Sequence, residues 1–274
     1  MATVSRRVLP GFHVSLGYTI FYLGVLVLIP IAACFVKAGS LSFDEFWGAV
    51  WTERARAAYA LTFGAAFVAA LVNALLGLVL AWVLVRYTFP GKRIVDSLVD
   101  LPLALPTAVA GLVYSALYVP KGWLGQYLVP VGIYGAYSRF AIILVLVFVG
   151  LPFVVRTVQP ILEDLDPECE EAAASLGGTR WQAFRHVIFP TVLPALITGF
   201  ALAFARGIGE YGSVVFVSGN MPYKTEIAPI LIVARLEEFA YGEATAIAVV
   251  LLVVSFALLI LTNRLERWSM RHEH

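Results

Sequence analysis

Charged residues are scarce in this chain. Asp, Glu, Lys and Arg make up 14% of its 274 residues, whereas an ordinary soluble domain carries roughly 25%. Together with a hydrophobic content of 61%, this scarcity excludes a soluble globular enzyme. The 19 basic and 18 acidic residues leave a formal net charge of +1, so no global field indicates nucleic-acid binding. Two cysteines, Cys34 and Cys169, are too few for a disulfide framework and too far apart for a metal motif.

The sequence also lacks the motifs of catalysis. The four histidines include no HExxH pair, and no Ser or Cys lies in a nucleophile motif. A phosphate-binding GxxxxGK[ST] loop is absent as well, since Gly91-Lys92 is followed by Arg93. We therefore expect no catalytic residue, no metal site and no cofactor in this chain, and any ATP chemistry must come from another polypeptide.

Long windows without Asp, Glu, Lys or Arg predict membrane spans, because roughly 20 apolar helical residues cross a bilayer core. The sequence predicts an all-α polytopic membrane protein with six transmembrane helices, at residues 16–36, 57–85, 101–120, 140–155, about 186–217, and 244–263. The fourth window has only 16 residues, but Arg139 and Arg156 at its ends can snorkel to the headgroups.

The first window has a second interpretation, as a cleaved signal. Arg6 and Arg7 precede it, and the run from Ile31 to Cys34 resembles a lipoprotein cleavage site. Its apolar stretch is longer than the roughly 7 to 15 residues of a signal core, which favours a span.

Basic residues near the predicted helix ends fall into two sets, and the side that is richer in Lys and Arg is expected to face the cytoplasm. The richer set has eleven members: Arg6, Arg7, Arg86, Lys92, Arg93, Arg156, Arg180, Arg185, Arg264, Arg267 and Arg271. The poorer set has seven: Lys37, Arg54, Arg56, Lys121, Arg139, Lys224 and Arg235. Both termini are therefore predicted to be cytoplasmic.

A short cytoplasmic helix is predicted between the fourth and fifth spans, at about residues 167–178. Asp166 is a suitable N-cap, Pro167 suits the first helical position, and Gly177-Gly178 ends the helix. A second amphipathic turn, Thr179 to His186, follows before Pro190 opens the fifth span. Composition alone allows a solvated acidic loop, but small residues next to a sharp glycine bend favour a docking element.

Two charges and two prolines interrupt the apolar spans. Arg206 and Glu210 are four residues apart and can pair on one helix face, either as a clamp between helices or as part of an anion pathway or gate. Pro102 and Pro106 remove two backbone donors from the third span, and backbone of this kind tends to line a cavity. Thr107 is the hydroxyl there that we single out as a pathway residue, with Ser115 and Asn73 as further polar candidates.

Recognition of an anion requires several preorganised N–H and O–H donors. No such closed set is visible in the sequence. We therefore expect recognition to occur in a soluble extracytoplasmic binding protein, while this chain provides a path.

The predicted cytoplasmic helix carries the signature of a known family. Glu171-Ala172-Ala173, three residues, Gly177, nine residues, and then the run from Val187 to Pro190 resemble the coupling motif EAA-x3-G-x9-I-x-LP of type I ABC importer permeases. Val187 and Phe189 replace the usual Ile and Leu. The resemblance implies the MetI-like fold and implies that Glu171, Ala172, Ala173 and Gly177 contact a cytoplasmic ATPase.

Further segments resemble the T subunits of sulfate/thiosulfate importers over nearly the whole chain: residues 6–12, 86–91, 100–112 and 152–160. This resemblance implies a W-type second permease subunit, two copies of a CysA-type ATPase that bind ATP and Mg, and a sulfate- or thiosulfate-binding protein outside the cell. It also implies a multi-pass location in the bacterial inner membrane. The corresponding organisation is an N-terminal helix and external loop at 1–56, a transmembrane domain at 57–263, and a cytoplasmic tail at 264–274.

Two other functions remain open at this point. Molybdate or tungstate permeases are similar in the coupling motif and around Gly209-Glu210-Tyr211-Gly212, although Phe is usual where this chain has Tyr211. A secondary anion transporter is the other alternative, but such proteins often contain internal repeats, and the two halves of this chain share no motif.

Overall fold

The computed structural model describes residues 12–166, 168, 171, 173 and 175–270, with the backbone alone for His13, Asn263 and residues 265–270. Within these residues the regular structure is entirely helical, as predicted. The terminal residues 1–11 and 271–274, on which the predicted orientation of both termini depends, lie outside the described residues.

The α-helices whose bounds lie within the described residues are, in chain order, α1 Phe12–Leu23, α2 Ile29–Gly39, α3 Phe43–Val50, α4 Glu53–Arg86, α5 Lys92–Val99, α6 Leu101–Ala104, α7 Thr107–Tyr118, α8 Gly125–Leu128, α9 Arg139–Glu163, α10 Arg180–Ala183, α11 Phe189–Ile208, α12 Val214–Val217, α13 Ala228–Glu237 and α14 Tyr241–Met270. π-helical turns at Gly24–Leu28 and Phe184–Ile188 join α1 to α2 and α10 to α11. The short helix of the predicted coupling element lies between α9 and α10 and is described with the site below.

Five helical segments of the described residues are long and apolar enough to cross a membrane, whereas six were predicted: Val14–Gly39, Glu53–Arg86, Arg139–Glu163, Arg180–Ile208 and Tyr241–Thr262. The predicted third span is broken. Its helix ends at Ala104 and resumes at Thr107 as the 12-residue α7, which is about 18 Å long. Pro106 is the cause, because it cannot donate a backbone hydrogen bond and forces the preceding Leu105 into an extended conformation.

The boundaries of the fourth and fifth spans also differ from the prediction. The fourth runs on to Glu163, so Arg156 lies within the helix and not at its end. The fifth starts at Arg180 and ends at Ile208, so Pro190 does not open it and Glu210 lies beyond its last residue.

Each π-helical turn ends two residues before a proline, Pro30 in one case and Pro190 in the other. A proline ring clashes with the carbonyl four residues earlier, and one extra residue in the preceding turn moves that carbonyl away. This local adjustment explains why both helices continue through a residue that usually ends a helix.

The core of the bundle is the packing of α4 on α9 and α11. Small residues allow this close approach. An added Cβ at Gly77 would overlap the side chain of Val154, and an added Cβ at Gly199 would overlap the backbone of Val154. Close contact through small side chains is how helices associate where lipid leaves little hydrophobic driving force.

Among the described residues, members of the two predicted basic sets lie at opposite ends of this bundle. At one end Arg54 binds Glu226 through two hydrogen bonds of 2.8 and 2.7 Å, and Arg139 donates to the carbonyl of Lys224. Arg86 and Arg180 line a common cavity at the other end. Which end faces the cytoplasm stays a prediction.

Helix α3 lies between two spans at the Arg54 end. Ser42 and Glu45 form a capping box at its start, and Phe43, Trp47 and Trp51 form an exposed ladder of edge-on rings along it. Aromatic side chains of this kind are enriched where a membrane meets water. These exposed rings are typical of a helix that lies at a membrane surface.

Candidate coupling and translocation sites

The coupling segment, defined here as residues 166–178, has the capped helical form that its sequence predicts. Asp166 accepts a hydrogen bond from the backbone N–H of Glu168 at 2.9 Å, as an N-cap does. The described residues Glu168, Glu171, Ala173 and Ser175 are helical. The predicted contact residue Ala172 lies outside the described residues.

Gly177 ends this helix in a left-handed conformation, with φ of +80°. The N–H of Gly178 then donates to the carbonyl of Ala173 at 2.9 Å, five residues back. This is the hydrogen bond of a Schellman C-cap, in which a glycine is strongly preferred because a Cβ is strained at positive φ. The geometry gives a physical reason for the glycine of the motif.

The tip of the coupling segment presents an apolar side chain to solvent. Leu176 is 89% exposed and Glu171 is also exposed. A leucine raised on a short helix beyond the bundle is suited to insertion into an apolar pocket of another protein. Leu176 is not among the contact residues predicted from the sequence, although its place next to the cap glycine was a usable signal.

The coupling segment is joined to the fifth span by only one residue outside either element. Thr179 caps α10 with a capping box, in which its hydroxyl oxygen accepts from the N–H of Gln182 and its own N–H donates to the Gln182 side chain. From Arg180 the chain is helical up to Ile208. A displacement of the coupling segment is therefore passed to a continuous 29-residue helix.

Arg156 organises a polar cluster that sequence reasoning did not assemble. Its guanidinium binds Asp100 through Nε at 2.8 Å and through a second nitrogen at 2.7 Å, and it also binds Asp96 at 2.7 Å and Gln159 at 2.6 Å. The prediction that Arg156 snorkels to headgroups is therefore wrong. Asp96 and Asp100, four residues apart next to a broken helix, were the signal that could have found the pair.

This cluster fixes the broken third span against the fourth. Asp96 lies on α5 and Asp100 between α5 and α6, so the segment that leads into the third span is held to one side chain of α9. The guanidinium of Arg156 holds the pKa of the Asp100 carboxyl below its ordinary value of 3.8, mainly through their hydrogen bond. Asp100 therefore stays ionised in mildly acidic conditions.

Arg206 and Glu210 form the ion pair that was predicted, at 2.6 Å. The Glu210 side chain is 1% exposed, and it also accepts hydrogen bonds from the N–H and the hydroxyl of Ser213 at 3.0 and 2.9 Å. The Arg206 side chain, in contrast, is 36% exposed. The pair thus joins a buried carboxylate, which accepts hydrogen bonds from Ser213, to a guanidinium that reaches an open surface.

Thr107 lies against the same turn. A Cβ added to Gly212 would overlap the Thr107 hydroxyl, and one added to Gly111 would overlap the carbonyl of Ser213. The first turns of α7 therefore pack directly on Gly212 and Ser213. The structure brings together the three predicted pathway residues, Arg206, Glu210 and Thr107, around the points where two spans are interrupted.

The two further polar candidates lie elsewhere. The Ser115 hydroxyl bonds the hydroxyl of Tyr137 at 3.2 Å. Asn73 is buried in the core beside Gly150, and its amide has no hydrogen-bond partner within the described part of the chain. Neither residue joins the cluster around Arg206.

Residues 73–271 match the family described as binding-protein-dependent transport system inner membrane component. The chain belongs to this family. It is thus a multi-pass permease of the inner membrane and a transport subunit without an enzymatic role, as the sequence predicted. The resemblance to ABC importer permeases is confirmed.

Two curated relatives of the permease are sulfate transport system permease proteins named CysT. The protein of Salmonella typhimurium is 47% identical over 266 residues, which cover 97% of this chain and 96% of the relative. That of Synechocystis sp. is 50% identical over 254 residues, which cover 93% and 89%. In both comparisons the similarity therefore extends over most of the length of this chain and of the relative.

Solved structures establish the fold of the permease. A chain of a bacterial ABC transporter involved in the import of the acidic polysaccharide alginate superposes with a TM-score of 0.77 at 18% identity, covering 93% of this chain and 94% of that one. A second structure, of a bacterial alginate ABC transporter in complex with a periplasmic protein bound to an alginate pentasaccharide, gives 0.77 at 20% identity, covering 93% of both chains. The fold is that of an ABC importer permease.

Proposed function

We propose that this permease is the T-type subunit of an ATP-driven importer of sulfate and thiosulfate. The observation that carries the proposal is the identity of 47% to a CysT permease over 97% of this chain. A W-type permease would complete the pathway, and a sulfate- or thiosulfate-binding protein would deliver the anion from outside. The proposed organisation is an N-terminal unit at 1–56, a transmembrane domain at 57–263, and a cytoplasmic tail at 264–274.

An external energy source is required by electrostatics. Moving a dianion inward against an inside-negative potential costs about 4.6 kcal/mol per 100 mV before any concentration gradient. Two CysA-type ATPase subunits, which bind ATP and Mg, would supply this free energy.

The coupling segment would be the site at which that energy enters the permease. Glu171, Ala172, Ala173 and Gly177 are the proposed ATPase contacts, with Leu176 as an apolar anchor. The support is the capped helix, its exposed tip and its short connection to the fifth span. A rigid element of this kind can turn closure of an ATPase pair into rotation of a membrane helix.

The anion would pass beside Arg206. A half-exposed guanidinium, fixed by the buried Glu210, attracts a dianion without holding it in a closed set of donors. Thr107 would contribute a hydroxyl from the start of α7. Weak binding at this point suits a path, because an ion must be able to leave again.

The proposal is tested on the complete complex, co-expressed with its genomic neighbours and reconstituted in proteoliposomes with the binding protein. We expect sulfate and thiosulfate, but not molybdate, to stimulate ATP hydrolysis and to be taken up. Stimulation by molybdate alone would show that the proposed anion is wrong. Uptake in the absence of any ATPase would show that the protein is a secondary transporter.

The coupling role is tested with Leu176→Asp and Glu171→Lys. We expect sulfate uptake to fall at least 10-fold with membrane insertion unchanged, because a buried charge or a reversed charge would weaken the ATPase contact. Leu176→Met is the matched control and should transport normally, since it keeps the size and polarity of the side chain. Normal coupling in both charged variants would contradict a docking role.

A further inference from the structure

Tyr137 joins the ends of two short helices to the start of α9. It directly precedes Ser138, whose hydroxyl caps α9 by accepting a hydrogen bond from the N–H of Ala141 at 3.1 Å. The N–H of Tyr137 donates to the carbonyl of Val217, the last residue of α12, at 2.8 Å. Its hydroxyl accepts a hydrogen bond from the hydroxyl of Ser115 on α7 at 3.2 Å. One residue therefore links the core helix α9 to both α7 and α12.

The backbone of Tyr137 has a conformation that bulky L-residues rarely adopt. Its φ is +54°, and a large side chain in this region is a genuine outlier. Such a conformation persists only where the surrounding structure determines it. Here the two hydrogen bonds do so together with a close approach by Gly219, at which an added Cβ would lie 3.1 Å from the Tyr137 Cβ. The result is a tyrosine whose hydroxyl is directed at α7.

Helices α7 and α12 pack on each other beside the candidate translocation site. Each is the short piece that follows an interruption, α7 after the break in the third predicted span and α12 after the turn that ends α11. Thr107 contacts Gly212 at one end of this packing, and Gly111 lies against the carbonyl of Ser213 farther along α7. Tyr137 joins the two helices at the other end.

The broken third span is thus attached to α9 at both of its ends. Where the chain enters the span, Arg156 of α9 binds Asp100. At the far end, Tyr137 binds Ser115 of α7 immediately before α9 begins. Because Pro106 interrupts the hydrogen-bonded backbone between these two attachments, the first does not fix the direction of α7. The second attachment is needed for that.

We propose that Tyr137 is a positioning residue for transport, which holds Thr107 in place relative to Arg206 by fixing α7 and α12 to the start of α9. Thr107 lies about 12 Å from Ser115 along α7, so a tilt of α7 moves the Thr107 hydroxyl. Tyr137 acts through these two side chains and not by contact with the anion. The inference rests on the proposed function, in which the anion passes beside Arg206 and Thr107.

The first experiment measures how often these contacts open. Hydrogen exchange of the backbone N–H of residue 137 is followed on the complete complex in nanodiscs, since this N–H exchanges when its bond to Val217 opens. In Tyr137→Phe and in Ser115→Ala we expect exchange about 5-fold faster, the factor that corresponds to one hydrogen bond of about 1 kcal/mol. The double variant should exchange no faster than either single variant, because all three lack the same bond.

The second experiment measures the amount of sulfate imported per ATP hydrolysed by the complete complex with its binding protein. A merely structural role would lower uptake and hydrolysis in proportion to the complex that assembles, and this ratio would not change. If Thr107 is displaced, passage of the anion is impaired while the ATPase contacts are intact. We expect the ratio to fall at least 2-fold in Tyr137→Phe and in Ser115→Ala. In a Thr107→Ala background, Tyr137→Phe should lower it no further.

Tyr127→Phe is the matched control, since it removes a hydroxyl from an exposed tyrosine of the same segment between α7 and α9. It should change neither measurement. Unchanged exchange in both Tyr137→Phe and Ser115→Ala would overturn the link to α7. Faster exchange with an unchanged ratio, or a further fall of the ratio in the Thr107→Ala background, would overturn the positioning role. A wild-type complex that imports no sulfate would contradict the proposed function alone, because the exchange measurement requires no substrate.

Discussion

Arg156 holds both carboxylate oxygens of Asp100, at 2.8 and 2.7 Å, where the chain enters the third predicted span. A paired guanidinium and carboxylate with two parallel hydrogen bonds is the strongest form of such a contact. The pair holds a short, interrupted helix against a long one, where the backbone alone provides little stiffness. It ties the junction of α5 and α6 to α9, whereas α7 itself packs on Gly212 and Ser213.

Asp100→Asn should therefore weaken the structure locally. Because the Arg156 and Asp100 side chains are 33% and 49% exposed, we expect a loss of only about 0.5–1 kcal/mol in stability. The measurement is thermal unfolding of the purified complex in detergent. Asp164→Asn is the control, because Asp164 is an exposed carboxylate at the end of α9, the helix that carries Arg156. This substitution should change the unfolding temperature little.

The same pair sets a pH dependence. Since the Asp100 pKa lies below its ordinary value of 3.8, the stabilisation is present above that value and is lost as pH falls through the lower, folded-state pKa. The difference between wild type and Asp100→Asn should accordingly be the same at pH 7 and pH 5. A difference that disappears by pH 5 would show that the pKa of Asp100 in the folded protein lies above 3.8 and not below it.

Most of the fold followed from the distribution of apolar windows, since helix length against bilayer thickness is a strong constraint. An apolar window shows that a segment is hydrophobic enough to cross the bilayer, but it does not show that the segment is one continuous helix. The window at 101–120 was apolar throughout, and its prolines were noted, but the break at Leu105-Pro106 depends on whether neighbouring side chains hold the two pieces. This is tertiary information.

More of the structure of the coupling segment than of the polar clusters could be predicted from the sequence. Caps and glycine turns are local, so Asp166 and Gly177 could be assigned from neighbouring residues alone. Arg156 had two physically reasonable fates, a headgroup or a carboxylate 56 residues away. Asp96 and Asp100 were a local signal of an acidic site, but nothing near them in the sequence identifies Arg156 as the partner, which is why the pair emerged only from the structure.

Gly150 and Asn73 should behave as a coupled pair in the core. Gly150→Ala should lower stability by about 1–3 kcal/mol, because the new methyl group meets the buried amide of Asn73. Asn73→Ala in the same chain should recover most of that loss, since it removes both the overlap and a buried amide without a partner.

Thermal unfolding of the two single variants and the double variant gives the coupling energy. Gly64→Ala is the control on α4, because its added Cβ would meet no atom within 4 Å. Strictly additive changes in the pair would contradict direct contact.

Gly177 should be tolerant of asparagine and intolerant of β-branched residues. At φ of +80° an L-residue costs roughly 1–2 kcal/mol, least for asparagine, so the C-cap should unwind in Gly177→Val and persist in Gly177→Asn. We expect Gly177→Val to uncouple ATP hydrolysis from sulfate uptake while the protein still inserts. Equal coupling in both variants would argue that the turn is unimportant.

The two ends of the bundle can be assigned to the two sides of the membrane by fusion reporters. The richer set of basic residues predicts that fusions after Arg93 and Gly178 are cytoplasmic, because basic loops are retained on that side. Alkaline phosphatase and green fluorescent protein fusions at both positions provide the measurement. Phosphatase activity at either position would reverse the predicted orientation.

Arg206 and Glu210 allow the two interpretations of an intramembrane ion pair to be separated. If the pair is only a clamp, Arg206→Ala is harmful because it leaves a carboxylate that is 1% exposed without its cation. The double variant Arg206→Ala with Glu210→Gln removes that charge, while the glutamine side-chain oxygen can still accept the hydrogen bonds from Ser213. Under this interpretation, assembly and transport should both recover.

If Arg206 attracts the anion, recovery should be partial. We expect the double variant to assemble normally but to keep a loss of at least 10-fold in sulfate uptake, because the half-exposed guanidinium is what the pathway has lost. Arg235→Ala is the matched control, since it breaks ion pairs with Glu238 and Glu243 outside this cluster. Uptake that returns to the wild-type rate in the double variant would leave the clamp as the sole role of the pair.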